Sequence, residues 1–88
     1  MIREQTNDAE ALALRALGWV LAEDGRAGRV LALTGLTPET LRTRIGEPAL
    51  LAAVIRFLEA HEPDLIACAG ALDVAPLELV EARRRLER

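Results

Sequence analysis

An all-α fold, a compact bundle of five to six short helices in a single domain, is what this sequence predicts, and three observations predict it. The hydrophobic fraction of 51% is mostly Ala and Leu, with Trp19 and Phe57 the only aromatic residues; Ala and Leu are strong helix formers, and the residues that strands favour are sparse. Apolar positions recur at spacings of three and four along most of the chain, the period of a one-sided helix. Pro, Thr and Gly punctuate these runs where helices start and stop. At 88 residues there is room for one core and not two, because domains below about 50 residues rarely bury enough surface to stand alone.

Residues 1 to 6 read as a disordered polar lead, and the helical domain is expected over residues 7 to 88. Asn7 and Glu10 have capping-box spacing and place the first helix start at Asn7. Leu14, Leu17 and Leu21 then fall on one face, flanked by Ala13 and Val20, with Leu12 and Trp19 widening the arc. This helix is expected to be central and to run to about Ala22. Glu23, Asp24 and Gly25 break it, and a shorter helix carrying Val30, Leu31 and Leu33 leads to Gly35, a candidate left-handed cap.

The third helix has the sharpest local signature. Thr37 is a cap, Pro38 fits the first helical position, and Leu36 is placed to staple onto Leu41. The helix ends near Gly46, and Pro48 opens a fourth with Leu50, Leu51, Val54, Ile55, Phe57 and Leu58 over a wide arc, expected to pack on the first helix. His61 to Asp64 interrupts. A short fifth helix holds Leu65, Ile66, Cys68 and Ala69, Gly70 and Asp73 mark a turn, and Pro76 begins a final helix that ends in Arg83, Arg84 and Arg85. The two halves show a faint similarity at a period of about 35 residues, read as pseudo-symmetry of a bundle rather than as an extended array.

What is missing narrows the chemistry. The chain has no serine and no lysine, so all eleven basic residues are arginine. That excludes a serine nucleophile, a Schiff base and a phosphate-loop lysine, and arginine stays protonated and is a poor general base. No apolar run reaches the roughly 18 residues a membrane span needs, and the N-terminal residues lack an apolar signal core. The expectation is a cytoplasmic protein with no membrane association. The lone Cys68 cannot form an internal disulfide, in keeping with a reducing compartment.

The order of features from Ala9 to Leu86 resembles a family of short bacterial proteins known as domain of unknown function 3572. The stretches that carry the resemblance are Leu17-Gly18-Trp19, Leu33-Thr34-Gly35-Leu36, and Pro48 to Leu58. It implies a small helical protein of alphaproteobacterial type, and it brings no activity and no binding residues.

Four constellations bear on chemistry. Leu31 to Ile45 is similar to a helix-turn-helix, with Gly35 in the turn and Leu41 six residues beyond it, although Arg44 falls where a second buried apolar residue is usual. On that reading Arg26, Arg29, Thr37, Arg42, Thr43 and Arg44 form the DNA-contacting set, with Arg42 able to pair bidentately with guanine. Residues 25 to 46 hold four arginines against Glu39 alone, a basic footprint, whereas residues 47 to 82 hold Arg56 against seven acids, a field that repels phosphate. Cys68 beside His61 suggests a thiolate pair, but its neighbours Leu65, Ile66 and Ala67 are those of an inert core cysteine. His61 with Glu59, Glu62 and Asp64 offers one nitrogen ligand crowded into a turn, which is not a metal site. Arg83 to Arg85 complement a helix C-terminus as readily as they would an acidic lipid.

No cofactor, metal or catalytic residue is therefore expected. The reading is a non-catalytic protein-interaction module with an unidentified protein partner, homodimerisation being one form of it. Its ground is that the apolar arcs of the first and fourth helices are broader than so small a core can enclose. The alternative is a DNA-binding regulator, the only reading that calls for nucleic acid.

Overall fold

All four prolines of the chain fall in the first turn of a helix, Pro38, Pro48 and Pro76 at the first residue and Pro63 at the second. A proline there loses no hydrogen bond, because first-turn N–H groups have no partner inside the helix. The computed structural model describes the backbone from Ile2 and the side chains from Asp8 to Arg88. It contains helices α1 (Ile2–Leu21), α2 (Asp24–Thr34), α3 (Pro38–Arg44), α4 (Pro48–Glu59), α5 (Glu62–Leu72) and α6 (Pro76–Leu86), and no strand among the described residues. The radius of gyration is 12.1 Å, matching the roughly 12 Å expected of one folded domain of this length. No helix is long and apolar enough to cross a membrane among the described residues.

Helices α1, α4 and α6 pack on one another and make the core; α2 and α5 lean on α1 and α4, and α3 packs extensively on no other helix. α1 is central, as expected, packing on α2, α4, α5 and α6, and α4 is the helix with the most buried residues among those described. The latter buries Leu50, Leu51, Ala52, Val54, Ile55, Phe57 and Leu58, so it is apolar nearly all round, as a helix enclosed on several sides must be.

The start of α1 lies at Ile2, ahead of the expected Asn7; the Asn7 side chain and the lead at residues 1 to 6 lie outside the residues whose side chains are described. The buried face of α1 also differs from expectation. It is Ala9, Ala13, Ala16, Leu17 and Val20, whereas Leu14 and Leu21 are 41% and 38% exposed. Alanine lets two helix backbones approach closely, and α1 is gripped by both α4 and α6, so the small-residue face wins over the leucine face. The break after α1 is only Ala22 and Glu23, with Gly25 inside the first turn of α2.

The signals at the second turn hold. Gly35 has φ of 72° and donates its N–H to the Leu31 carbonyl at 2.9 Å; the Thr37 hydroxyl accepts from the Thr40 N–H at 3.1 Å. The corresponding turn after α5 is closed not by Gly70, which lies within the helix, but by Asp73, whose φ is 60°. Asp is among the few side chains that tolerate this region.

These turns give the internal similarity its register. Asp24 and Glu62 begin α2 and α5, Gly35 and Asp73 end them, and Pro38 and Pro76 open α3 and α6, so each second member stands 38 residues after the first, not about 35. Burial follows the same offset: Ala13 and Leu51, Ala16 and Val54, Leu17 and Ile55, Val20 and Leu58, Val30 and Cys68, and Leu41 and Leu79 are buried in both members of each pair. The chain is a pair of three-helix units, α1–α3 and α4–α6, that share a plan and differ in the length of the first helix, 20 against 12 residues, and of the third, 7 against 11.

The left-handed turn at Gly35 carries a direct prediction. A Cβ there meets nothing within 4 Å, so Gly35→Ala imposes only the backbone penalty, about 1–2 kcal/mol, or a fall in Tm on the order of 5–15 °C. Thermal unfolding followed by circular dichroism reads it, and an unchanged Tm would show that this turn is not held left-handed.

Candidate docking surface

Five of the six residues of the helix-turn-helix reading have partners within the structure. Arg26, at the start of α2, stacks on Trp19, its guanidinium carbon 3.6 Å from the ring centroid. It also donates to the Trp19 carbonyl at 2.7 Å and to Glu23 at 2.9 Å, so it serves the α1–α2 corner, and Trp19 is half-buried against the core. Arg29 pairs with Asp64 of α5 at 3.1 Å, and Arg44 pairs with Glu47 at 3.0 Å. Thr37 caps α3, and the Thr43 hydroxyl donates to the Thr40 carbonyl at 3.0 Å. Arg42 alone of the four arginines makes no ion pair among the described residues. The formal positive charge of residues 25 to 46 is thus largely tied to carboxylates, and α3 is only seven residues long.

The other candidate chemistries are also placed. Cys68 is wholly buried, and that desolvation pushes its thiol up to about 11, against a smaller opposite pull from Arg26. His61 is exposed, sits at the N-cap of α5 rather than within the end of α4, and its Nδ1 lies 3.2 Å from Asp64. Among the described residues no three His, Cys, Asp or Glu side chains converge on one point. Of the C-terminal arginines, Arg83 grips Glu59 with two nitrogens at 2.7 and 2.9 Å and reaches Glu87 at 3.0 Å. These bonds, that to Glu59 first, hold its guanidinium even more firmly protonated. Glu87 also accepts from Arg56, which with Arg83 holds its carboxyl below the usual range. Arg84 pairs with Glu81 at 3.3 Å.

What remains open is apolar. A groove of about 360 Å³ lies between the end of α1, α2 and α3, lined by Leu21, Leu31, Leu41 and Ile45 together with Ala27 and Pro38, with Arg42 also at its wall. Ile45 is 39% exposed. The 38-residue offset shows how unlike its counterpart this groove is. The residues equivalent to Leu21 and Ile45 are Glu59 and Arg83, the bidentate ion pair that clamps α6 onto α4. In the first unit the clamp is replaced by two aliphatic side chains at the surface.

The same contrast extends along α1. Ala52 of α4 is buried and, with Pro48 and Ala49, lies beside Leu86 at the end of α6; its equivalent on α1 is the exposed Leu14. The third helix stops at Arg44 because Gly46 and Pro48 turn the chain into α4, whereas α6 runs on to Leu86 and covers that face. Ala11, Leu14, Gly18 and Leu21, all exposed, therefore form an uncovered apolar stripe on α1 that reaches the groove at Leu21. Sequence reasoning foresaw surplus apolar surface on this helix but placed Leu14 and Leu21 in the core; comparison with Ala52 and Glu59 at the right offset is the signal that locates it.

Residues 6–88 match the model of a family described as protein of unknown function DUF3572. No curated protein and no solved structure matches the chain.

Proposed function

We propose, for a chain that belongs to the DUF3572 family of proteins of unknown function, a non-catalytic module that binds another protein chain through the open face of its first unit. One observation carries this reading: the face formed by Leu14, Leu21 and Ile45 is apolar and uncovered where the equivalent face of the second unit is covered by α6 and clamped by Glu59 and Arg83. A small protein gains nothing in solubility from exposed leucines, and contiguous apolar surface of this kind is the usual mark of a contact surface. Removing the remaining exposed area of each such side chain from water contributes on the order of 1 kcal/mol, which suits a module that docks a partner reversibly. The non-catalytic part is supported by the absence of serine and lysine and by the burial of the only thiol.

The test is capture from a lysate of the source cells by the immobilised chain in three forms: wild type, Leu21→Arg/Ile45→Arg, and the distant control Arg88→Glu. The expected result is a protein retained by wild type and control and lost, by at least about tenfold, with the double variant, since each buried charge costs more than 1.4 kcal/mol. Retention that ignores the double variant would overturn the assignment of the face. Circular dichroism of each variant separates loss of binding from loss of fold.

A further inference from the structure

The module has its own candidate partner, because its two units differ in charge as well as in closure. Residues 1 to 46, which include the first unit, carry six arginines and six acids, while residues 47 to 88, which include the second, carry five arginines and eight acids. The groove of the first unit has Arg42 at its wall, without an ion pair among the described residues. On the second unit, α5 carries no basic residue at all. It exposes Ile66, 55% accessible, and Glu62 stands one helical turn before it. Glu62 makes no ion pair among the described residues. An aliphatic side chain with a free carboxylate one turn away is the complement of an aliphatic groove with a free guanidinium at its wall.

We infer that the occupant of the groove is a second copy of this chain, docked head to tail. Ile66 of one copy enters the groove between Leu21, Leu41 and Ile45 of the next, and Glu62 meets Arg42. This rests on the reading of the open face as a docking surface and names what fills it. A groove of about 360 Å³ accepts a branched aliphatic side chain with room for its neighbours. The contact joins two different surfaces, so it propagates from copy to copy unless the geometry closes it into a ring. Its charge component weakens as salt rises. Both surfaces lie on one chain, so each can be reversed separately.

Sedimentation velocity of the purified chain, from about 10 µM to about 1 mM, is the test. The weight-average mass is expected to rise above the 9.6 kDa monomer by at least about a third across that range, and to rise less in high salt. Arg42→Glu alone and Glu62→Arg alone should each remain monomeric. An equimolar mixture of the two should associate again, because each reversed surface then finds its complement and each native one keeps its own. A mass of one chain at every concentration overturns the inference, and so does association that survives either single reversal or fails to return in the mixture. A monomeric chain whose lysate partner is still lost with Leu21→Arg/Ile45→Arg removes only the second copy and leaves the docking face. A chain insensitive to those substitutions in both experiments removes both.

Discussion

Leu17→Ala is expected to lose about 2–5 kcal/mol of stability, the range for truncating a leucine in a core that cannot collapse around the hole, while Leu14→Ala, three residues earlier on the same helix, is expected to lose well under about 1 kcal/mol. Leu17 is 1% exposed and Leu14 is 41% exposed. A domain of this length has a total stability of roughly 4–13 kcal/mol, so the first substitution removes a large share and shifts Tm downward on the order of 10–30 °C. The second is nearly silent, and Leu14→Glu should be tolerated as well. Urea unfolding of the variants in parallel reads the contrast. Equal losses at the two positions would mean that α1 presents the leucine face to the core, and the uncovered stripe on which the docking face rests would not exist.

The same two residues show where a sequence becomes ambiguous. Leu14, Leu17 and Leu21 satisfy helical periodicity, but so do Ala9, Ala13, Ala16, Leu17 and Val20, and hydrophobicity alone ranks the leucines first. The deciding quantity is how closely α4 and α6 approach α1, a tertiary distance to which alanine contributes by being small. α4 was legible because it is apolar on almost every side, so no choice of face arises. The Gly35 turn and the Thr37 cap were legible because both are local: a backbone that needs φ of 72° and a hydroxyl that reaches a third-residue N–H are written within a few positions. The internal repeat reads at about 35 residues when Gly70 is aligned with Gly35, whereas in the fold Asp73 occupies the left-handed position. The net charge of the basic segment is incompletely legible for a non-local reason: the pairing of Arg29 with Asp64 joins residues 35 positions apart, which a count of charges along the chain does not contain. The groove joins Leu21 to Ile45 in the same way.

Cys68 gives the second large effect, and it separates a core thiol from a reactive one. Buried in the core with no exposed surface, the thiol is pushed from 9.0 to about 11 by desolvation. In the unfolded chain it ionises near its ordinary value. Below about pH 9 both states hold the proton, and the full stability is present. Between pH 9 and pH 11 the unfolded state sheds its proton while the folded state keeps it, so stability falls as pH rises, by on the order of 2 kcal/mol in total. The chain has no lysine and no tyrosine, the two side chains that ordinarily ionise near pH 10, so the window belongs to the thiol. Wild type should therefore lose stability from pH 9 to 11 while Cys68→Ala, though lower throughout for its small cavity, should hold a flat profile. At pH 8 a thiol reagent should modify the native protein roughly 10³-fold or more slowly than the unfolded chain, since the sulfur is reached only through opening. Parallel pH profiles, or native labelling as fast as that of the unfolded chain, would place Cys68 at an accessible site and reopen the case for thiol chemistry that its burial argues against.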